Sequence, residues 1–450
     1  MVRRFSLAAV AVVCISGITF AGHGNNNNNG GNRVGGVSIN TAGVLAQPVE
    51  ASLKPYKELQ EKRLQKLAPE LSAPVELRKI SLRQIEAALA QSGHNFANQM
   101  PDDIKYLAGI QRLQYIFVYP EQGDIVLAGP GEGWKVNANA DIVGITTGRP
   151  VLRLDDLLAA FRTVENARQG NITCSIDPTP EGRQQMDAFM ARQQRFSSEV
   201  LDGIEKALGS QQISITGVPD TSRFARMLVA SDYHMKRIAM KLDASPIAGL
   251  PSFIDMLKTK GQLDNMMPRW WMACNYEPIA KSPDGLAWEI RGPGVKVMTE
   301  DELIGGDGRV KGTGKVNPVA QKWADLMTEK YDELSAKETS FGELRNIMDM
   351  CVVAALIAKE NLMAKANCEI PIMASPSSKV SLSVWDAPKT VSTQCSALKR
   401  GSDYIITASG GVEITSWQVA DKTVADPAVG DVRAKAMPAK TQSGSSVWWN

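Results

Sequence analysis

Apolar residues recur along most of the chain with the periods of helices and strands. Residues 113–119 and 124–128 are short apolar β-rich runs joined by Pro-Glu-Gln-Gly, and they predict a hairpin. Ser81 followed by Gln84 forms a capping-box pattern that predicts the start of a helix. Asn317 followed by proline predicts a second helix start.

Two further segments predict long helices of the core. Residues 224–238 carry apolar side chains on one face, behind a predicted cap at Asp220 or Thr221. Residues 341–365 are apolar nearly all round between 347 and 358. These twelve residues are fewer than the roughly 20 that span a bilayer, so we expect a buried helix and no integral membrane segment after signal cleavage.

Helical and strand segments alternate without regular βαβ units, which predicts an α+β fold. We expect a mixed helical and β-sheet core with a small C-terminal β region. The predicted divisions are a signal peptide (1–21), an Asn/Gly-rich tether (22–36), a short strand with helices (37–100), an α+β core (101–374), a small β region (375–424) and a flexible tail (425–450).

The N-terminus has the pattern of a secretory signal peptide. Arg3 and Arg4 precede an apolar run that ends at Thr19-Phe20-Ala21, a small-x-Ala cleavage site. We therefore predict cleavage after Ala21 and export to the periplasm, the envelope or the exterior. A lipid-modified Cys14 and a twin-arginine signal fit the flanking residues less well than the general secretion route.

The charge balance limits the partners of the exported chain. The net charge is +2, and removal of Arg3 and Arg4 leaves 48 basic and 48 acidic residues. A neutral chain lacks the positive surface that phosphate backbones require, so nucleic acid and anionic membrane are excluded as expected partners. An envelope glycan or protein fits this balance better.

Glycine-rich loops and histidines provide no cofactor or metal motif. The loop 129–133 follows a predicted strand but leads into no helix, and 305–315 lacks the spacing of a phosphate loop. His94 and His234 stand alone, without metal-ligand spacing. We expect no cofactor and no metal, and a Ser/His hydrolase would have to use one of these two histidines.

An aromatic strand is the most unusual cluster of the sequence. Alternation places Trp270 on one face of the strand and Trp271 and Asn275 on the other, with Tyr276 and Glu277 at the end. Tryptophan on both faces predicts a strand that is covered on both sides, or one whose second side is exposed for binding. In the second case these five residues suit a carbohydrate or peptide surface.

Five cysteines remain after cleavage, an odd number for an exported protein. Cys368 and Cys395 flank the boundary between the core and the C-terminal β region, and we predict a bridge between them. Cys351 lies on the predicted buried helix and is expected to stay a free thiol.

Three blocks of sequence resemble an exported bacterial family, the domain of unknown function 1598 (DUF1598). They are LVASDYHMKRI, the run RWWMACNYEPI…SPDGLAWEIRGPGVKVMTEDE, and NPVAQKWADLMTEKYDEL…FGELRNIMDMCVVAALI. The resemblance covers roughly residues 113–370. It implies export and a shared fold, and it implies no activity or site residue.

Two functions follow from these observations. The scarcity of catalytic motifs, the neutral charge and the tether favour a non-catalytic binding or structural component of the cell envelope or the exterior. The alternative is a hydrolase that acts on envelope polymers, either glycan or peptide. A cleft with convergent buried Asp, Glu and His residues would favour the hydrolase, and a flat or fully packed surface would favour the binding protein.

Overall fold

The structure is a computed structural model. It describes residues 33–34, 37–39, 44–46, 50–93, 100–193, 198–257, 267–304, 310–312, 314–384, 388–393, 396–399, 403–406, 409–437 and 446–450. The predicted signal peptide, the cleavage site at Ala21, nearly all of the tether, His94 and Cys395 lie outside these residues.

Mixed helix and strand content confirms the predicted α+β class. The strands are Arg33–Val34 (β1), Val37–Ile39 (β2), Val44–Ala46 (β3), Val75–Ser81 (β4), Tyr115–Tyr119 (β5), Asp124–Gly131 (β6), Trp134–Val136 (β7), Ile142–Gly144 (β8), Ile172–Asp177 (β9), Ser210–Thr216 (β10), Met267–Asn275 (β11), Ile279–Lys281 (β12), Ala287–Glu289 (β13), Gly294–Ile304 (β14), Val310–Gly312 (β15), Thr390–Ser392 (β16), Ser396–Lys399 (β17), Asp403–Ile406 (β18), Ser409–Ile414 (β19), Thr423–Ala425 (β20) and Trp448–Trp449 (β21).

The α-helices differ widely in length. They are Glu50–Arg63 (α1), Pro69–Ser72 (α2), Leu82–Gln91 (α3), Asp102–Lys105 (α4), Leu154–Arg162 (α5), Val164–Gly170 (α6), Pro180–Met190 (α7), Ser198–Leu208 (α8), Arg223–Ala239 (α9), Phe253–Met256 (α10), Pro318–Glu329 (α11), Tyr331–Lys337 (α12), Thr339–Lys359 (α13), Leu362–Ala366 (α14), Pro371–Ala374 (α15), Ser416–Ala420 (α16) and Ala428–Ala436 (α17).

The strands form two large sheets. The ten-stranded sheet has the order β1-β2-β3-β16-β10-β9-β19-β11-β14-β15, and the seven-stranded sheet has the order β20-β12-β13-β5-β6-β4-β21. In the larger sheet only the pairs β3–β16 and β19–β11 are parallel. The predicted hairpin is confirmed, because β5 and β6 pair antiparallel from Tyr115–Ala128 to Tyr119–Asp124.

Two buried helices form the centre of the core. Every residue of α9 is buried, and the helix contacts β9, β19 and β11 of the larger sheet and also α13. In α13 every residue from Thr339 to Ile357 is buried, which confirms the predicted core helix. No helix in the described part of the chain is long and apolar enough to cross a bilayer.

Local capping signals are mostly confirmed. The Ser81 hydroxyl accepts a hydrogen bond from the amide of Gln84 at 3.0 Å, and Asn317 caps α11 in the same way. The predicted cap of α9 at Asp220 or Thr221 is wrong. Ser222 is the cap, because its hydroxyl accepts the amide hydrogen of Ala225 at 3.1 Å.

Strands of the predicted C-terminal β region enter the larger sheet. β19 lies between β9 and β11, so this region supplies a central strand. Glycine permits the close approach, since a Cβ atom on Gly410 would lie 1.6 Å from the carbonyl oxygen of Trp270. Gly410 also has a φ of +145°, which favours glycine. Because β19 and β11 are so distant in sequence, no local sequence pattern predicts that they pair.

The predicted tail, residues 425–450, contains α17 and β21. β21 pairs with β4 at the edge of the smaller sheet, with Trp448 opposite Ile80. The Trp448 indole donates a hydrogen bond to Asp103 at 3.0 Å, and Trp449 donates to the carbonyl of Ala436 at 3.2 Å. The two tryptophans therefore form a closing strand.

Four cysteines of the described residues are buried free thiols: Cys174, Cys274, Cys351 and Cys368. Burial raises the pKa of Cys351 well above its ordinary value, which keeps this thiol protonated. Because Cys395 lies outside the described residues, the predicted bridge between Cys368 and Cys395 stays a prediction.

Candidate functional site

One face of the ten-stranded sheet is packed against helices. On the other face, called the open face, most of the residues that the structure describes are at least partly exposed. In β10, Gln211 and Ile213 are buried, whereas Gln212, Ser214 and Thr216 are exposed. Such alternation is the pattern of a sheet with one side in the core and one side towards solvent. The open side of β10 carries only hydroxyl and amide side chains.

The aromatic strand β11 follows the same alternation. Trp270 is fully buried, with its ring 4.8 Å from that of Phe253 and 5.2 Å from that of Trp323. Trp271 and Asn275 are half-buried and point to the open face. The strand is therefore covered on one side only, and Trp270 is a core residue that offers no surface to a ligand.

Strand registers place four polar residues and one alanine, from five strands, in one row across the open face, called the polar row. Thr216 pairs with Thr173, which pairs with Glu413, and Glu413 pairs with Ala273, which pairs with Lys296. The hydroxyls of Thr216 and Thr173 are 2.7 Å apart. Because neighbouring strands lie about 4.8 Å apart, the row is about 19 Å long.

Trp271 occupies the next row of the same face. It pairs with Gly411 on one side and Met298 on the other, and Gly411 pairs with Ser175 of β9. The guanidinium of Arg269 lies over the Trp271 ring, 5.3 Å from its centroid, and stabilises the ring in this position. The indole is thus flanked by a glycine and a methionine, and the nearest small polar side chain of its row is Ser175, two strands away.

The structure separates the remaining predicted site residues. Glu277 is exposed beyond the end of β11. Asn275 is the last residue of β11 and pairs with Gly294 of β14. The Tyr276 hydroxyl donates a hydrogen bond to Asp349 at 2.8 Å, so it is used inside the protein. Burial together with the Asp349 carboxylate raises the pKa of Tyr276 well above its ordinary value. Trp271 and Asn275 are the predicted residues that share the open face.

A groove of about 670 Å³ adjoins this face at Thr216. Ligand sites commonly have volumes of about 300–1,000 Å³. It is lined by Ala159, Arg162, Thr163, Asn166, Gln169, Gly170, Asn171, Thr216, Gly217, Val218, Pro219, Pro376 and Leu382.

Gly217 lets the chain turn at the floor of the groove. Its φ is +82°, and a Cβ atom there would lie 2.6 Å from the carbonyl oxygen of Asn171. The Asn171 amide donates a hydrogen bond to Glu413 at 3.2 Å. This bond joins the groove to the polar row, so the open face and the groove form one continuous surface.

A buried charge cluster lies on the helical side of the molecule. The Arg223 guanidinium, at the start of α9, donates hydrogen bonds to Asp156 of α5 and to Glu343 of α13. Arg153 lies 3.6 Å from Glu343. Three helices are thereby joined near their N-terminal ends, where carboxylates are stabilised by the helix dipole.

Two carboxylates in and beside this cluster, Asp141 and Asp156, have raised pKa values. Burial raises the pKa of Asp141 to about 7, and the nearby Glu343 and Glu338 add to the shift. Burial raises the pKa of Asp156 to about 6, although Arg223 opposes the shift. One oxygen each of Asp141, Asp156 and Glu343 is buried without a hydrogen-bond partner. Three carboxylates share two guanidinium groups, which favours a proton on Asp141.

His234 lies close to a serine and a carboxylate, but the geometry is not that of a catalytic triad. Its Nδ1 atom is 2.8 Å from the Ser340 hydroxyl and 3.3 Å from Glu338. A triad uses one ring nitrogen for the serine and the other for the carboxylate. Ser231 donates to the carbonyls of Met227 and Ser340 and does not contact His234. Among the described residues, no group of His, Cys, Asp and Glu has the arrangement of a metal site.

Residues 174–253 match the model of a family described as a protein of unknown function, DUF1598. This match confirms the predicted resemblance over that segment, which is shorter than the 113–370 expected. No curated protein matches the chain, and no solved structure matches it.

The matched segment contributes to two of the sites described above, the groove and the buried charge cluster. It includes β10, which borders the groove, and the whole of α9, which supplies Arg223 and His234. Sequence reasoning missed the cluster, because Asp141, Arg223 and Glu343 lie far apart along the chain. The pair Asp155-Asp156 is the one local signal. Two acidic residues at a helix start also fit simple helix capping, so the sequence does not show that Asp156 is the buried partner of Arg223.

Proposed function

We propose that the protein is exported and that it acts as a non-catalytic binding component of the cell envelope or the exterior, with a glycan as its ligand. The observation that carries this proposal is the open sheet face, where the half-buried Trp271 shares one surface with Asn275 and with the hydroxyl and amide side chains of β9 and β10. A sugar ring combines an apolar face, which packs on an indole, with hydroxyl groups that need donors and acceptors.

The charges of this face favour a neutral polymer. Arg269 pairs with Glu300 across β11 and β14, and Lys296 stands two strands from Glu413. Positive and negative groups therefore alternate among these residues, an arrangement that does not favour a ligand with a strong charge of one sign. The extent of the face is also suitable, because a row of about 19 Å across five strands can contact several units of an extended chain.

Export is supported by the sequence of the first 21 residues. The charged start, the short apolar run and the Thr-Phe-Ala cleavage site together predict secretion. An envelope glycan would be the polymer that an exported protein encounters in greatest amount.

Retention on insoluble polysaccharides tests the binding function. The purified protein is mixed with cellulose, chitin or peptidoglycan sacculi, and the bound fraction is measured after sedimentation. We expect retention on at least one of them, with a loss of about tenfold in affinity for Trp271→Ala. Val424→Ala is the matched control, since Val424 is 48% exposed on the smaller sheet. Equal retention of Trp271→Ala and the control, or no retention at all, would contradict the proposal.

A hydrolase remains the second candidate because of the buried cluster at Arg223. Convergent carboxylates whose pKa values are pushed towards neutrality are a frequent property of acid–base catalysts. The test is the release of reducing ends from the same polysaccharides by the wild type and by Glu343→Gln. Release by the wild type that is lost in a folded Glu343→Gln variant would favour the hydrolase.

A further inference from the structure

The groove begins where the open face ends. Thr216 belongs to both, because its hydroxyl contacts Thr173 of the polar row and its side chain lines the groove. Three strand spacings, about 14 Å, separate β10 from the strand that carries Trp271. A polymer seated on Trp271 and running across β19 and β9 to Thr216 of β10 would therefore enter the groove.

One wall of the groove carries hydrogen-bonding side chains that are exposed. Asn166 and Gln169 lie on α6 three residues apart, and such residues share one face of a helix. No hydrogen bond joins either side-chain amide to another of the described residues. Each amide offers two donors and one acceptor oxygen, which matches the hydroxyl groups of a sugar in either direction.

The groove lining contains one charged residue, Arg162. Its two terminal nitrogens donate to the carbonyls of Val380 and Ile372, both at 2.9 Å, so the guanidinium is directed towards the protein. The nearby carboxylates of Asp155 and Glu86 offset part of its positive charge. The lining has no carboxylate for a cationic ligand, and its other polar side chains are uncharged, which suits a neutral molecule.

Another part of the groove lining is apolar. It is formed by Val218 and Pro219 after β10, and by Pro376 and Leu382 from the segment that follows α15. Proline fixes the backbone and loses little entropy when it is covered. A wall of this kind packs against the apolar face of a sugar ring while the amides bind its edge.

We infer that the groove is a second subsite for the same neutral glycan, in which Asn166 and Gln169 hold the polymer beyond the units seated at Trp271. This inference rests on the proposed function, since it requires a glycan on the open face. It predicts that the affinity depends on the length of the glycan, because only an oligomer that reaches from Trp271 to α6 would contact both subsites.

Titration with oligosaccharides of two lengths tests this inference. The probes are the two-sugar and six-sugar oligomers of the polysaccharide that retains the protein, and binding is measured by calorimetry. We expect Asn166→Ala/Gln169→Ala to weaken binding of the long oligomer about tenfold and to leave the short one unchanged. Trp271→Ala is expected to weaken both. Gln91→Ala, an exposed amide on α3 outside the groove lining, is the matched control.

The outcomes distinguish the two proposals. If the wild type binds both oligomers and the double variant keeps full affinity for the long one, the groove inference is wrong and the binding function stands. If the wild type binds neither oligomer, the proposed function fails first. A neutral alanine- and proline-rich peptide is titrated as a third probe in the same experiment. Binding of this peptide by the wild type and its loss in the double variant would assign the groove to peptides and overturn the inference.

Discussion

Arg112 and Asp349 form a bidentate ion pair between segments 237 residues apart. Nε of Arg112 donates to one carboxylate oxygen at 3.0 Å, and its Nη2 donates to the other at 2.9 Å. Asp349 is fully buried, and its carboxylate also accepts the amide hydrogen of Leu113 and the hydroxyl hydrogen of Tyr276. The pair therefore ties the core helix α13 to the start of the hairpin and to the end of the aromatic strand.

Replacement of Asp349 by asparagine should be strongly destabilising. The change leaves the Arg112 guanidinium in the interior without its counter-charge, and such changes cost about 3–5 kcal/mol. Tyr276→Phe removes one hydrogen bond to the same carboxylate and should cost about 1 kcal/mol. Urea unfolding of the two variants measures the difference. Equal midpoints would contradict the central role of the ion pair.

The two neighbouring tryptophans should respond differently to truncation. Trp270→Ala removes a fully buried indole packed on Phe253 and Trp323, and should cost about 3–5 kcal/mol. Trp271→Ala removes a half-buried indole and one cation–π contact, so about 1 kcal/mol is expected. Thermal melts of the single variants compare them. A large loss at both positions would mean that Trp271 is also a packing residue, and the glycan surface would lose its anchor.

The mature N-terminus should be Gly22. Cleavage after Ala21 follows from the small-x-Ala pattern, and N-terminal sequencing of the protein from the envelope or the medium checks it. Ala21→Asp places a charged residue at the cleavage position and should leave the precursor uncut, whereas Ala21→Ser should be processed. Intact Met1 on protein from the cytosol would contradict export.

Sequence reasoning succeeded where the physical cause is local. The Ser81–Gln84 cap, the hairpin and the buried helix α13 each depend on residues a few positions apart. The alternation of β11 also placed Trp270 and Trp271 on opposite faces of the strand, although it did not show whether the second face is covered. That depends on which strands lie beside β11, and one of them, β19, arrives from 140 positions further along the chain. Its insertion leaves no periodic signal.

The buried cluster at Arg223 was beyond sequence reasoning for the same reason. Its members come from the start of three helices and from the loop before β8, so no spacing connects them. A buried ion pair is recognisable only once the partners are known to meet. The charges along α9 resemble those of an exposed helix, yet every residue of that helix is buried.

The stability of the protein should fall as the pH rises from about 4 to about 7. Asp141 has a pKa of about 7 in the folded protein and an ordinary value of 3.8, because burial and the neighbouring Glu343 favour its neutral form. In this range the folded protein holds a proton that the unfolded chain releases, so each rise in pH favours unfolding. His234 acts in the same direction at higher pH: although burial opposes it, the Glu338 carboxylate raises the pKa of His234 above its ordinary 6.5, so its contribution to stability is lost as the pH rises above that value.

Asp141→Asn should remove most of this pH dependence. Asparagine resembles the neutral carboxyl group but does not ionise, so the variant should be more stable than the wild type at pH 8, by on the order of 3 kcal/mol, and similar to it at pH 5. Chemical denaturation at both pH values provides the measurement. Asp325→Asn is the control, because Asp325 is exposed on α11, and it should leave the pH dependence unchanged. If the stability of Asp141→Asn depends on pH as strongly as that of the wild type, Asp141 does not hold the proton. Another carboxylate of the cluster is then the protonated one.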